Sequence, residues 1–206
     1  MGGPSVFSIG GRTIILYVSS MRWMTILLSA LMTSATWGAD LELQAQAASM
    51  TLGKALKTRL LKALEAGDVA GAVAVCREEA PALADAISRD LGLSVGRTSL
   101  RVRNPYNQPD AWEKAGLLSL QQRLTEGEDA AAIAHSEWVE KSPEEKEFRY
   151  LKPIVTEPLC LTCHGDPIAP DVAKVLGELY PEDQAIGYTP GELRGAFTVR
   201  ISGAEP

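Results

Sequence analysis

Cys160, Leu161, Thr162, Cys163 and His164 form a CxxCH run, and no other feature constrains this chain as much. The spacing is the attachment signature of c-type haem. Two thiols three positions apart can add to the two vinyl groups of the ring as thioethers, and the adjacent imidazole is then carried to one face of the porphyrin, within reach of iron. The chain holds only three cysteines and two histidines, so the run uses most of its ligand-type side chains. Two other chemistries use similar runs. A redox dithiol prefers a βαβ setting and a helix start, whereas here Pro158 precedes the run and Gly165-Asp166-Pro167 follows it. Structural zinc needs four ligands, and Cys160, Cys163 and His164 would have to recruit Cys76 or His135. One covalent haem c is the expected cofactor.

The second axial position of the iron separates the classes of haem protein. Met50 is the only methionine beyond residue 39, so no methionine follows His164 and the histidine-methionine cytochrome pattern is absent. Gly165 and Pro167 stop a helix, which also argues against a bundle cytochrome with its motif in a last helix. The remaining candidates are Cys76, His135 or no protein ligand. Cys76 is the odd cysteine and lies near an expected helix irregularity, which suits a ligand, although free cysteine is often simply a small buried hydrophobe. His135, in Ala-Ile-Ala-His-Ser-Glu-Trp, reads more simply as a partly exposed helix residue. Cys76 is the favoured ligand.

Residues 1–39 are set apart as an N-terminal extension and signal peptide, leaving 40–206 as a single domain. Met21-Arg22 begins a charged start, Trp23 to Met32 is apolar, and small residues run to Ala39, the order of a secretory leader. Met21 is then the functional start, with cleavage between Ala35 and Ala39. Thr13 to Val18 is a second apolar run, and neither run reaches the roughly 18 to 20 residues that span a bilayer. Export places the chain in the periplasm, with membrane attachment only if the leader is not cleaved. The formal charge is −6, and removing Arg12 and Arg22 makes the mature chain two charges more negative. With no basic block, nucleic acid is not an expected partner.

Along the domain, Leu52, Leu56, Leu60 and Leu64 recur every fourth residue, with Lys54, Lys57, Arg59 and Lys62 opposite, which predicts an amphipathic helix. Gly67-Asp68 breaks it and offers Asp68 as the next cap. Val69, Val73, Cys76, Ala80, Leu83 and Ile87 then trace a buried stripe. Pro81 interrupts that stripe, predicting a bend or restart that leaves the Arg77 carbonyl without its usual partner. Ser94 to Trp112 reads as a strand followed by a turn-rich loop. A third helix from near Asp110 to about Gly127 carries Trp112, Leu117, Leu118 and Leu120, and Ala130 to Val139 continues it or forms another helix. Phe148 to Val155 is strand-like and, because of Pro153, is expected at an edge or to end there. Asp171 to Leu179 is a short helix and Gly195 to Ile201 a final strand. Without βαβ alternation, the fold class is α+β around a small antiparallel sheet.

Gly96-Arg97-Thr98-Ser99-Leu100-Arg101-Val102-Arg103-Asn104-Pro105, with Asn107, Pro109-Asp110, Trp112-Glu113, Phe148-Arg149-Tyr150 through Pro153 and the CxxCHG run, resembles a bacterial family of c-type haem-binding, PAS-like domains. The resemblance spans roughly residues 68–201. It implies helices packed on an antiparallel sheet and iron held by histidine and cysteine, which fall here on His164 and Cys76. Members include stand-alone periplasmic proteins and sensor regions of histidine kinases. No output domain follows Pro206, so signalling would need a separate partner protein.

Two functional classes are expected. One is a redox or small-ligand sensor, in which loss of the Cys76 ligand shifts a two-state surface. The other is a periplasmic electron-transfer cytochrome, whose ligation stays fixed. No acid-base constellation flanks the motif, so the chain is not read as an enzyme. Arg97, Arg101 and Arg103 are either strand salt bridges or partners of haem propionates.

Overall fold

The structure, a computed structural model, describes residues 6–9, 12–15 and 21–203, and the side chains of 39–203. It divides into two compact units, one ending at Asp40 and one spanning Leu41–Glu205. In the first, β1 (Val6–Ile9) and β2 (Arg12–Ile15) pair as an antiparallel hairpin, with Ile9 opposite Arg12. The helix α1 (Met21–Glu65) begins in this unit. Residues 16–18 of the second apolar run, and the side chains of the expected leader before Ala39, lie outside the described residues. Among the described residues, no helix is long and apolar enough to cross a membrane.

The second unit is organised by a four-stranded antiparallel sheet in the order β3-β6-β5-β4, formed by β3 (Ser94–Thr98), β6 (Leu193–Ser202), β5 (Glu145–Val155) and β4 (His135–Ser142). Strand alternation sorts the side chains between two cores. Phe148, Tyr150, Val199 and Ile201 face Leu41, Ala45, Ala48 and Leu52 of α1. Leu151 and Ala196 turn the other way, onto Leu117 and Leu120 of α4 (Ala111–Thr125). Asp110 caps α4 as expected: its Oδ1 accepts the Glu113 N–H at 2.8 Å, while the Glu113 carboxylate accepts the Asp110 N–H at 3.1 Å. This is the α+β, PAS-like arrangement that the sequence predicts.

A third cluster joins Val73 of α2 (Val69–Ala74) to Val172 and Leu176 of α6 (Pro170–Leu179) and to Tyr180. Asp68 caps α2 by accepting the Gly71 N–H at 2.7 Å. Between α2 and α3 (Ala80–Leu91), residues Val75–Glu79 form a π-helical turn, in which the Ala80 N–H bonds to the Val75 carbonyl. Pro81 stands in the first turn of α3, where its missing N–H has little cost. The irregularity expected from that proline is therefore this wide turn, and Cys76 lies within it.

Two expectations are overturned. Ala130 to Val139 is not helical: residues 130–132 form a turn and His135 opens β4. The apolar Ala130-Ile133-Ala134 composition suggests a helix, but Trp138 pairs with Phe148 and His135 with Leu151 across the hairpin, so long-range pairing decides the conformation. His135 is accordingly a strand residue stacked against Trp112, with ring centroids 5.1 Å apart. Pro153 neither ends β5, which runs on to Val155, nor puts it at an edge, since β5 lies between β6 and β4; the proline is tolerated because β4 pairs with β5 only as far as Leu151, which leaves the last residues of β5 with β6 as their single neighbour.

Candidate functional site

Short sequence signals place the CxxCH run at the end of β5. Pro158 opens a single 3-10 turn ending at Cys160, and α5 (Leu161–His164) follows for one turn before Gly165 takes extended backbone and stops it. The Glu157 N–H donates to Cys160 Sγ at 3.4 Å, holding the first thiol against the turn. All three cysteines are free thiols. Burial pushes the Cys163 thiol up, in spite of the nearby Arg103 charge.

Cys160, Cys163 and His164 open onto a cavity of about 430 Å³, and Cys76 from the π-helical turn lines it as well. Its apolar walls come from Leu60 and Leu64 of α1, Val73, Val102, Ile154 and Phe197. Gly53 lets α1 approach closely here: a Cβ at that position would stand 2.9 Å from Phe197 Cζ. Among the described residues no three His, Cys, Asp or Glu side chains gather tightly enough to enclose a bare metal ion. The ligand-type side chains are instead dispersed around a volume in the range of pockets for organic cofactors.

His164 is held from behind. Its Nδ1 lies 2.6 Å from the Ala185 carbonyl oxygen, which can only accept, so Nδ1 carries the proton and Nε2 keeps a lone pair. Burial, with the Arg194 and Arg103 charges adding to it, pushes the His164 pKa down to about 2, so the ring is neutral. A second layer fixes Ala185. Asp183 Oδ1 accepts the Ala185 N–H at 2.8 Å, and Asp183 Oδ2 is 2.9 Å from Arg103. Arg103 Nη2 also donates to the carbonyls of Cys163 and Ala185. A metal-binding histidine commonly has such a partner on its other nitrogen, which sets its tautomer and orientation. The backbone of the motif is pinned too, by the Tyr188 N–H to the His164 carbonyl at 2.9 Å.

The three arginines of the sequence run prove different from one another. Arg103 is spent on Asp183 and the loop carbonyls. Arg101 donates to the Ile186 carbonyl and lies 3.7 Å over the Tyr188 ring. Arg97 lines the cavity. A fourth, Arg194, escaped sequence reasoning because a lone arginine at a strand start carries no local signal. Its Nε approaches His164 Nε2 at 3.4 Å and its Nη1 donates to Ser99 Oγ at 3.0 Å. His135 lies away from this cavity, against Trp112 on the α4 side.

The donor set suits a porphyrin: two thiols and an imidazole with an unprotonated Nε2 on one wall, a third thiol on another helix, and apolar sides between them. A family model described as Tll0287-like matches residues 32–202 of the chain. The fold is similar to the crystal structure of the cyanobacterial heme-protein Tll0287, with a TM-score of 0.53 and 21% sequence identity over 82% of this chain and 96% of that one. No curated protein matches the chain.

Proposed function

The chain belongs to the Tll0287-like family, and from that premise we propose that it is a haem-binding protein of the periplasm, carrying one covalent haem c on Cys160 and Cys163. His164 and Cys76 are the iron ligands, and the protein acts as a redox or small-ligand sensor rather than as an enzyme. One observation carries the reading: Cys76 and the distant CxxCH run open onto the same cavity, where His164 is neutral and its Nε2 lone pair is met only by a long 3.4 Å hydrogen bond from Arg194 Nε.

When bound, haem supplies a one-electron iron couple and an axial position for which a small molecule can compete. Cys160 and Cys163 would hold the ring covalently, through thioethers to its two vinyl groups. His164 presents Nε2 to the metal while Ala185, Asp183 and Arg103 keep its other nitrogen engaged. Cys76, in the π-helical turn, a local widening often found at functional sites, would be the second protein ligand to the iron, and loss of that ligand would be the change that is sensed. A separate partner protein would read the change.

Spectroscopy of the purified protein tests the ligand set. The ferric protein should be low-spin, with a sulfur-to-iron charge-transfer band in the near-infrared. Cys76→Ser should abolish that band, and His135→Ala should leave it intact. Carbon monoxide should bind the ferrous protein and not the ferric one. An unchanged Cys76→Ser spectrum would reduce the cysteine to a packing residue. Colour should stay with the polypeptide through denaturation and acid-acetone extraction, and the exported chain should begin between residues 36 and 40.

The alternative is a periplasmic electron-transfer cytochrome. Exposure of Thr162, between the two attachment cysteines, favours it by bringing the motif to the surface. It requires the same ligands in both oxidation states and refusal of carbon monoxide by the ferrous protein.

A further inference from the structure

We propose that Arg97 and Arg194 form a paired carboxylate-binding site on the cavity wall and that the two propionates of the haem are its ligands; the inference rests on the haem reading above. Four lysine or arginine side chains meet the cavity: Lys57, Arg97, Arg103 and Arg194. Lys57 stands 2.7 Å from Glu157, and Arg103 is 2.9 Å from Asp183, so these two are answered by carboxylates of the chain. Among the described residues, Arg97 and Arg194 have no carboxylate within ion-pair distance. Two guanidiniums without a carboxylate partner therefore line the cavity, and the ring brings two carboxylates.

Arg194 is held in place without being neutralised. Its Nη1 donates to Ser99 Oγ at 3.0 Å and to the Arg101 carbonyl at 3.4 Å, and its Nε donates to His164 Nε2 at 3.4 Å, a bond that iron on Nε2 would replace, freeing the Nε–H for a carboxylate. These acceptors fix the direction of the guanidinium but carry no charge. Arg97 comes from β3, opposite Phe197 of β6, so the two arginines belong to neighbouring hydrogen-bonded strands. The guanidinium fork matches a carboxylate in two-point geometry, which an ammonium does not. Arg101 and Arg103, though closer together in sequence, are already engaged by Tyr188 and Asp183.

The test uses the full chain produced without haem attachment. It is titrated with ferric protoporphyrin IX and, in the same detergent buffer, with its dimethyl ester, the Soret band reporting binding. The two probes differ only at the carboxylates. The native apoprotein should prefer the diacid by about 100-fold, and Arg97→Gln and Arg194→Gln should each reduce that preference by about tenfold, the usual scale for a charge-assisted hydrogen bond. The double variant should bind both probes alike. Ester affinity should be the same in every variant, which reports that each is folded, and Arg194→Lys should restore part of the preference. The proposal is overturned if the double variant still prefers the diacid or if Arg101→Gln abolishes the preference. Equal binding of acid and ester by the native chain removes the carboxylate site and leaves the haem reading standing. Failure to bind either probe removes both.

Discussion

On the α4 side of the sheet, Arg149 is buried with its charge met from within: Asp110 is 2.7 Å away and Glu113 is 3.2 Å away. Arg200 and Thr198 converge on the same Glu113 oxygen, at 3.1 and 2.8 Å. At the β3 and β6 end of the cavity, Arg97 and Arg194 have only neutral acceptors or none. The first cluster is closed, and its residues come from the α4 cap and the strands that α4 covers, so it holds the fold together. The second is open, and its unmatched charge points to something outside the chain. Arg149 is buried and paired, whereas Arg97 and Arg194 are half-buried and have no counter-ion.

Removing Glu113 should break the closed cluster most severely. Glu113→Ala strips Arg149 of a counter-ion and Arg200 and Thr198 of a shared acceptor and opens the capping box, and denaturant unfolding of the apoprotein should show a loss of about 3–5 kcal/mol. A loss below about 1 kcal/mol would mean that water serves the cluster as well as the carboxylate does. Next in size is Asp183→Ala, which turns the one compensated arginine behind His164 into a third free cation. About 2–4 kcal/mol of stability should be lost, and the preference for the diacid porphyrin over its ester should rise. A fall in that preference would show that Arg103 cannot act on the cavity.

Arg194→Leu sharpens the contrast in the opposite direction. Taking an unpaired guanidinium out of the open cluster should leave apoprotein stability unchanged or raise it by up to about 1 kcal/mol, whereas a loss comparable to Glu113→Ala would place both arginines in one structural class. The smallest effect concerns acid. Burial pushes the Asp110 pKa up, but the Arg149 hydrogen bond, the Glu113 N–H and the charges of Arg149 and Arg200 together bring it below the usual carboxylate value. A depressed folded pKa stabilises fully above the unfolded value of about 3.9 and is lost as pH falls through the folded one. Asp110→Asn should therefore flatten the decline of stability below about pH 4. Its side chain is 42% exposed, so solvent screens most of the interaction and the change should be slight.

Much of this architecture was legible because it is local. The leucine spacing of α1, the Asp68 and Asp110 caps, the stop at Gly165 and the CxxCH run are each written within a few residues, and each stands where the sequence places it. Pro81 announced an irregularity beside Cys76 without revealing that it is a π-helical turn, since that depends on which carbonyl the Ala80 N–H finds. What could not be read was pairwise and distant. β4 looks helical until Phe148 lies opposite Trp138. Arg194 becomes notable only when β6 brings it to His164, and the division of labour among Arg97, Arg101 and Arg103 depends on Tyr188 and Asp183, which lie far along the chain.

The contact between Gly53 and Phe197 gives the cavity an adjustable depth. Because a methyl group at position 53 would meet the far end of a phenylalanine ring rather than rigid backbone, Gly53→Ala would be absorbed by turning the whole side chain about its Cα–Cβ bond. Both residues line the cavity, so the turn would change its shape. A single hydrogen atom on the outer helix thus sets how much room a flat guest has, without altering a thiol, the imidazole or an arginine. Substitutions at this one helix position offer related chains a way to tune the fit of the pocket while its chemistry stays constant.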